Sequence, residues 1–323
     1  MTGETEHRAL SGRCLVTGGA GFIGSHLVEA LVRAGLPVRV LDDLSSGTRD
    51  NLREVADAVE FVQGDVTVAE DCRRACAGVD YVFHHAARVS VADSCENPIA
   101  THEVNALGTL KLLCAAREAR CRRVVYAGSA SAYGDTEEVP VHEEVTPRPL
   151  SPYAVAKHAG ELYCRVFRLL HGLETVVLRY FNVFGPRQDP SSPYSGVIAQ
   201  FAYRLGRGED LVIYGDGEQT RDFVPVENVV EANLAAALAS EAPGQFLNIG
   251  CGQAMSINRL AESMIALSGA QVGIRRSGAR PGDIRHSVAD ISRAEQVICY
   301  HVLVPPEEGL RRTLAWYQGV RVT

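Results

Sequence analysis

The sequence predicts an α/β protein in which a doubly wound parallel sheet carries a smaller, mixed α/β lobe. Three observations predict it. Short apolar runs alternate with helix-patterned stretches through the first half, a glycine-rich turn joins the first run to the first helix, and turn-rich segments take over after Phe184. In order, Arg13 to Thr17 reads as a strand and Ile23 to Ala34 as a helix. Pro37 to Leu41, Val59 to Gln63, Tyr81 to His84, Arg123 to Ala127 and Thr175 to Tyr180 read as further strands, with helical patterns near 69–77, 98–119 and 152–171. Strands that alternate with helices pair in parallel through right-handed crossovers. Later, Gly185-Pro186, Pro190-Ser-Ser-Pro193 and Gly215-Asp-Gly217 mark loops around a helix near 196–207. A helix near 226–240 and a strand over Gln245 to Ile249 return to the earlier style, and 254–323 mixes helices and loops. The expected division is a flexible start (1–11), a sheet domain from 12–182 plus about 224–252, and a second lobe from about 183–223 plus 253–323.

Composition narrows the function classes. A chain of 323 residues suits one large α/β unit or two linked domains. With 46% hydrophobic and 22% charged residues it reads as an ordinary globular protein. The net charge is −7 and no basic block occurs, so nucleic acid is not an expected partner. No apolar run approaches the ~18 residues of a membrane span, and the polar, acidic start does not read as a signal peptide. Nine cysteines, odd in number and without paired C-x-x-C spacing, point to reduced thiols in a cytoplasmic protein. Cys72 and Cys76 stand a helical turn apart without further ligand types nearby, so no metal site is expected.

Two motifs carry chemistry. Thr17-Gly18-Gly-Ala-Gly21-Phe22-Ile23-Gly24 lies between the first strand and its helix. Glycines there allow a tight turn, close approach of backbone to a pyrophosphate and close helix packing, while the helix N-terminus offers N–H donors. Asp42 follows at the end of the second strand, where a carboxylate accepts from a ribose 2′-hydroxyl and repels a 2′-phosphate. The sheet is therefore expected to be of Rossmann type and the cofactor to be NAD rather than NADP. The second motif is Tyr153-Ala-Val-Ala-Lys157, which puts a phenol and an ammonium on one helix face. An adjacent ammonium favours the phenolate, making Tyr153 a candidate base near neutral pH. Upstream, Ser129 ends a strand at the carboxyl edge of the sheet, where α/β proteins bind ligands. His84 and His85 are adjacent on a strand and so face opposite sides: one core, the other beside the cofactor.

The spacing Gly18-x-x-Gly21-x-x-Gly24, with Ser129, Tyr153 and Lys157, resembles the extended short-chain dehydrogenase/reductase family of nucleotide-sugar enzymes, over roughly residues 12 to 318. The resemblance implies that Ser129, Tyr153 and Lys157 form the catalytic set and that Ser131 also touches substrate. It implies that Asp65 and Val66 bracket the adenine, that Ala86 and Ala87 belong to the loop beneath the cofactor, that Asn105 supports the strand ends, and that Phe181 lies near the nicotinamide. Arg179-Tyr-Phe-Asn182 and Leu211-Val-Ile-Tyr214 to Arg221 resemble the family's substrate segments. Asn182 would then bind a diphosphate or sugar oxygen, Tyr214 would pack on the base, Arg221 and Arg280 would pair with phosphates, and Asp283 would contact a ribose. Ser287 matches a position that lines the hexose pocket; its small size leaves room for an N-acetyl group at C2. Departures from the family pattern are His85, Val89, Ala127-Gly128 and Cys299-Tyr300.

The expected activity is that of an isomerase: an NAD-dependent 4-epimerase acting on a UDP-hexose or UDP-N-acetylhexosamine through a 4-keto intermediate. Family members that eliminate water carry an Asp-Glu pair where this chain has Ala130 and Ser131, and related decarboxylases tend to have Glu at position 131. Uronate epimerases, dehydratases and decarboxylases are the alternative enzymes, and a dinucleotide-binding protein without catalysis is the alternative of another class. The long helices near 98–119 and 152–171 match those that relatives pack into a dimer interface, so a homodimer is expected.

Overall fold

Seven parallel strands form the main sheet of the computed structural model, which describes residues 10–190, 196–279 and 284–319. They are β1 (Cys14–Thr17), β2 (Val38–Asp42), β3 (Val59–Gln63), β4 (Tyr81–His84), β5 (Arg123–Ser129), β6 (Glu174–Tyr180) and, after the insertion of smaller strands, β11 (Phe246–Ile249). Their order is β11-β6-β5-β4-β1-β2-β3. The winding reverses between β1 and β4, and such a reversal opens a crevice at the carboxyl ends of the strands.

Burial explains the near-continuous apolar runs. Val16 and Phe83 face one core together with Leu27, Leu31 and Ala236 from α1 (Phe22–Arg33) and α8 (Val226–Leu238). Leu15, Val82 and Tyr126 face the other, with residues of α2 (Ala69–Cys76), α5 (Thr109–Glu118) and α6 (Pro152–His171). Strands covered on both faces need no polar alternation. Cys72 and Cys76 are buried in this second core.

Two buried arginines do work that their sequence context does not announce. Arg39 Nη1 donates to the carbonyls of Ala75 (2.7 Å) and Ala77 (2.7 Å) at the end of α2. Arg123 Nη1 does the same for Ala236, Ala237 and Ala239 at the end of α8. A guanidinium thus satisfies carbonyls that a helix terminus leaves without intrahelical partners.

The expected helix over 98–119 is broken into α4 (Pro98–His102), a π-helical turn over Glu103–Gly108, and α5. The wider turn holds Asn105, whose Oδ1 accepts from Arg88 N (2.8 Å) and whose Nδ2 donates to Arg88 O (2.9 Å). The short helix α3 (Val91–Glu96) precedes it and was not legible in the sequence. In contrast, α6 begins and ends where local chemistry dictates: Ser151 accepts from Ala154 N, Pro152 occupies the first turn, and Gly172 closes the helix in the left-handed conformation.

Smaller strands build the rest. β7 (Asn182–Phe184) pairs in parallel with β10 (Phe223–Pro225), and β8 (Leu211–Tyr214) with β13 (Ile274–Ser277). β9 (Thr220–Arg221) lies between β12 (Met255–Ser256) and β14 (His286–Ser287). Helices α7 (Val197–Gly206), α9 (Ile257–Ser268) and α11 (Pro306–Tyr317) pack around a core that includes Phe201, Ile213, Phe223, Leu260 and Leu310. The chain also has α10 (Ser292–Ile298). Among the described residues, no helix is long and apolar enough to cross a membrane.

Candidate active site

The crevice between β1 and β4 is built from backbone. Gly18 has φ +66°, and a Cβ there would stand 2.7 Å from Ala86 N; one at Gly24 would stand 2.2 Å from the Gly18 carbonyl oxygen. Both glycines are therefore required by the turn itself. Gly21 differs: a Cβ would meet only the Gly18 oxygen, at 3.2 Å, so its outer side is open. Gly21 is also the N-cap of α1, and no side chain caps that helix. An open glycine before an uncapped helix N-terminus fits a pyrophosphate. Phe22 and Ile23 follow in the first turn, with Phe22 close to the Gly185 backbone.

Asp42 ends β2 and is buried, with Oδ2 accepting from Ala20 N (2.9 Å) and Oδ1 from Leu44 N (2.8 Å). Burial raises its carboxyl above the ordinary value, while these two N–H bonds act against the rise. It thus ties the glycine turn to the loop after β2, a structural part that adds to its expected ribose contact. Asp65 forms a turn through Thr67 N (2.7 Å), and Val66 is buried beside it. Across the crevice, Ala86 N donates to Thr17 Oγ1 (3.2 Å), and Asn105 pins the end of the Ala86-Ala87-Arg88 loop.

His84 is the core histidine, held between Thr17 Oγ1 (2.7 Å) and Thr109 Oγ1 (2.9 Å). His85 is half-buried, stacks on Tyr180 and hydrogen bonds to its hydroxyl (3.1 Å). Burial and the neighbouring Lys157 hold both imidazoles well below their ordinary range, His85 at about 3, so neither is charged at neutral pH.

One strand further, Ser129, Ser131, Tyr153 and Lys157 meet. Ser131 Oγ donates to Ser129 Oγ (2.8 Å), and the Ser129 hydroxyl lies beside the Tyr153 phenol, whose ionisation it favours. Tyr153 itself is placed by Ser94 of α3, whose Oγ accepts from Tyr153 N (3.1 Å); nothing in the sequence singled out Ser94. Lys157 is buried, with Nζ 4.6 Å from the centre of the Tyr126 ring. The phenol differs from the expected phenolate, while the lysine remains an ammonium at neutral pH. Burial raises the Tyr153 phenol, with the Ser129 hydroxyl opposing, and lowers Lys157 to about 8, with Glu161 opposing. Without further positive charge, the lysine gives up its proton before the phenol does.

Asn182, Tyr214 and Arg221 line a cavity of about 430 Å³, together with Phe184, Gln188 and Gln219. Ser287 stands opposite Arg221 in the β9–β14 register and is half-buried. Asn182 is held by its own strand pairing, its N donating to Asp222 O (3.0 Å). Phe181 is buried against Tyr133 and Val141, and its N–H donates to Ile249 O (3.0 Å) while its carbonyl accepts from Val183 N (3.0 Å). Arg280 and Asp283 lie outside the described residues.

Residues 14–250 match the model of the NAD dependent epimerase/dehydratase family. The chain belongs to that family. A UDP-glucose 4-epimerase of Mycolicibacterium smegmatis is 39% identical over 312 residues, covering 95% of this chain and 99% of that protein. Among solved structures, a UDP-glucose 4-epimerase from Thermotoga maritima with UDP-glucose superposes with a TM-score of 0.91 at 37% identity, covering 95% of this chain and 99% of the other. A UDP-N-acetylglucosamine 4-epimerase from Methanobrevibacter ruminantium M1, in complex with UDP-N-acetylmuramic acid, gives 0.89 at 38%, covering 95% and 98%. Relatives named as a dTDP-glucose 4,6-dehydratase and a UDP-N-acetyl-glucosaminuronate decarboxylase stand at 35% and 32% identity, so likeness alone does not select the second half of the reaction. As a member of the epimerase/dehydratase family, the chain is an NAD-dependent enzyme that modifies nucleotide sugars. The open side of Gly21, the uncapped α1 and the Asp42 carboxylate are where such a dinucleotide fits.

Proposed function

We propose that this enzyme inverts C4 of a UDP-hexose or UDP-N-acetylhexosamine through a 4-keto intermediate. Bound NAD⁺ supplies a hydride acceptor at the nicotinamide C4 and a positive ring charge beside the reacting groups. Tyr153 takes the proton of the sugar 4-hydroxyl, and Ser129, beside that phenol, orients the hydroxyl. Lys157 holds the nicotinamide ribose. Returning the hydride to the other face of C4 while Tyr153 gives its proton back completes the inversion, with no net oxidation. Arg221 pairs with the diphosphate, Tyr214 packs on the uracil and Asn182 binds a diphosphate or sugar oxygen; all three line one cavity. Arg280 and Asp283 keep their proposed phosphate and ribose contacts, and Phe181 its place near the nicotinamide, from sequence alone. Residues 12–182 with about 224–252 would hold NAD and the remainder the sugar nucleotide.

The observation that carries epimerisation is the set of side chains beside the base. Ser129, Ala130 and Ser131 form a turn in which the polar contacts are hydroxyls, so no acid stands there to expel water from C5–C6 or to assist loss of a carboxylate. Ser287, small and next to Arg221, supports an N-acetyl group at C2. The test is incubation with UDP-glucose, UDP-N-acetylglucosamine and UDP-glucuronate in turn, with chromatographic separation of products. A C4 epimer from one of the first two, lost in Tyr153→Phe, is the expected result. A ketosugar or a decarboxylated product would replace the proposal with one of its alternatives.

We also propose a cytoplasmic homodimer. On α6, Val155, Leu162, Val166 and Leu169 are exposed at 48%, 46%, 42% and 72%, in a spacing that puts them on one face, and Ile99 and Leu107 are exposed on the neighbouring helical segment.

A further inference from the structure

We propose that Glu161 is a positioning residue for Lys157: it is the counter-charge that keeps the buried lysine an ammonium at the edge of the site. The proposal rests on the reading of Lys157 as part of the reacting set. Tyr153, Lys157 and Glu161 are spaced by four residues along α6, so the carboxylate follows the lysine by one turn on the same face. Six ionisable side chains surround the Lys157 ammonium: His84 from β4, His85 directly after it, Tyr126 from β5, and Tyr153, Glu161 and Cys164 from α6. Burial keeps both imidazoles deprotonated and both phenols and the thiol protonated near neutral pH. Glu161 alone supplies a formal negative charge.

The carboxylate is fully buried and held by two partners. Arg179 of β6 reaches it in a fork, with Nη2 to Oε2 at 2.8 Å and Nε to Oε1 at 3.1 Å, and His158 Nδ1 hydrogen bonds to Oε2 at 2.9 Å. A Cβ at Gly128 would stand 2.9 Å from Oε1, so the absence of a side chain one residue before Ser129 makes the room. The Arg179 fork holds the carboxylate in place. Its placement fixes a negative charge one turn from Lys157, and an opposite charge at such a distance shifts an ionisation by about 1–3 pH units.

The experiment is an NMR titration of the full chain labelled with ¹³C at lysine Cε, with the Lys157 signal assigned by its loss in Lys157→Met. In the unaltered chain the midpoint is expected at about 8. In Glu161→Gln it should fall by about one pH unit or more. Should that variant fail to fold, Glu161→Gln/Arg179→Met removes both charges of the Arg–Glu pair, so that no guanidinium is left without its carboxylate; near-ultraviolet circular dichroism reports its packing, and the midpoint of Lys157, still without its counter-charge, should fall there too. A midpoint unmoved in the folded variants overturns the proposal, whatever the enzyme does to sugars. A chain that forms no C4 epimer but shows the shift fails the functional reading only.

Discussion

In a Gly21→Ala variant the added methyl group would stand 3.2 Å from the Gly18 carbonyl oxygen and within 4 Å of no other non-neighbouring atom. The backbone there is extended, with φ −80° and ψ −175°, so an alanine needs no unusual conformation. As an N-cap, alanine is poorer than glycine by about 1 kcal/mol at most. The lower entropy of its unfolded chain returns about 0.4–1 kcal/mol. Fold stability should therefore change by less than about 1 kcal/mol, a few degrees at most in melting temperature. The cofactor meets a different balance, because the methyl occupies the side from which a pyrophosphate reaches the α1 N–H groups. Losing one charge-assisted hydrogen bond of about 1.5–3 kcal/mol should weaken NAD binding by about ten-fold to one or two hundred-fold. Gly24→Ala is the contrast: its methyl would meet backbone at 2.2 Å and 2.9 Å, so it should cost folding itself, on the order of 3 kcal/mol. Calorimetric NAD titration beside thermal melts separates the two effects. Gly21→Ala that melts normally and binds NAD within two-fold of the unaltered chain would refute the placement of the pyrophosphate.

Three further outcomes are expected. Ser287→Tyr should abolish turnover of UDP-N-acetylglucosamine while sparing UDP-glucose within about ten-fold, measured as kcat/KM for each; equal losses on both would contradict a C2 pocket at this residue. Asp222 accepts from the backbone N–H groups of Cys251 (2.7 Å), Gly252 (2.9 Å) and Ala289 (3.1 Å), and burial raises its carboxyl to about 6, against an ordinary 3.8. The folded chain then holds this proton more tightly than the unfolded one, so Asp222 makes stability fall as pH rises from about 4 to 6. Asp222→Asn should lower stability by about 1–3 kcal/mol and flatten that part of the pH profile in denaturant titrations; an unchanged slope would contradict the shift. Finally, Leu162→Asp with Val166→Asp should halve the mass seen by light scattering without lowering the melting temperature of the protomer, and an unchanged mass would count against the α6 face as the interface.

The legible parts of this chain were those whose chemistry is local. Val59–Gln63 and Tyr81–His84 are strands with the bounds the sequence suggests, and Pro152–His171 is the helix expected. The glycine turn was readable because spacing alone encodes its steric demands, and the main sheet because strands buried on both faces leave apolar runs. The two-residue strands β9, β12 and β14 were not readable, since they exist only through pairing with one another. Nor was the π-helical turn, whose Asn105 makes its bonds to Arg88, seventeen residues away. In the site, sequence picked out Ser129, Tyr153 and Lys157, but not how far burial would move their ionisation. Lys157 falls to about 8 and the Tyr153 phenol rises. Ser94 carried no signal. Glu161 did, because its spacing from Lys157 and Tyr153 already puts all three on one face of α6.

Epimerisation through a 4-keto sugar is tested most directly with UDP-glucose deuterated at C4. The hydride that leaves C4 returns to C4, so the product should be the C4 epimer with deuterium retained at that carbon and no accumulation of reduced cofactor. Epimer formed with loss of the label, or deuterium recovered at C6 of a ketosugar, would contradict the account.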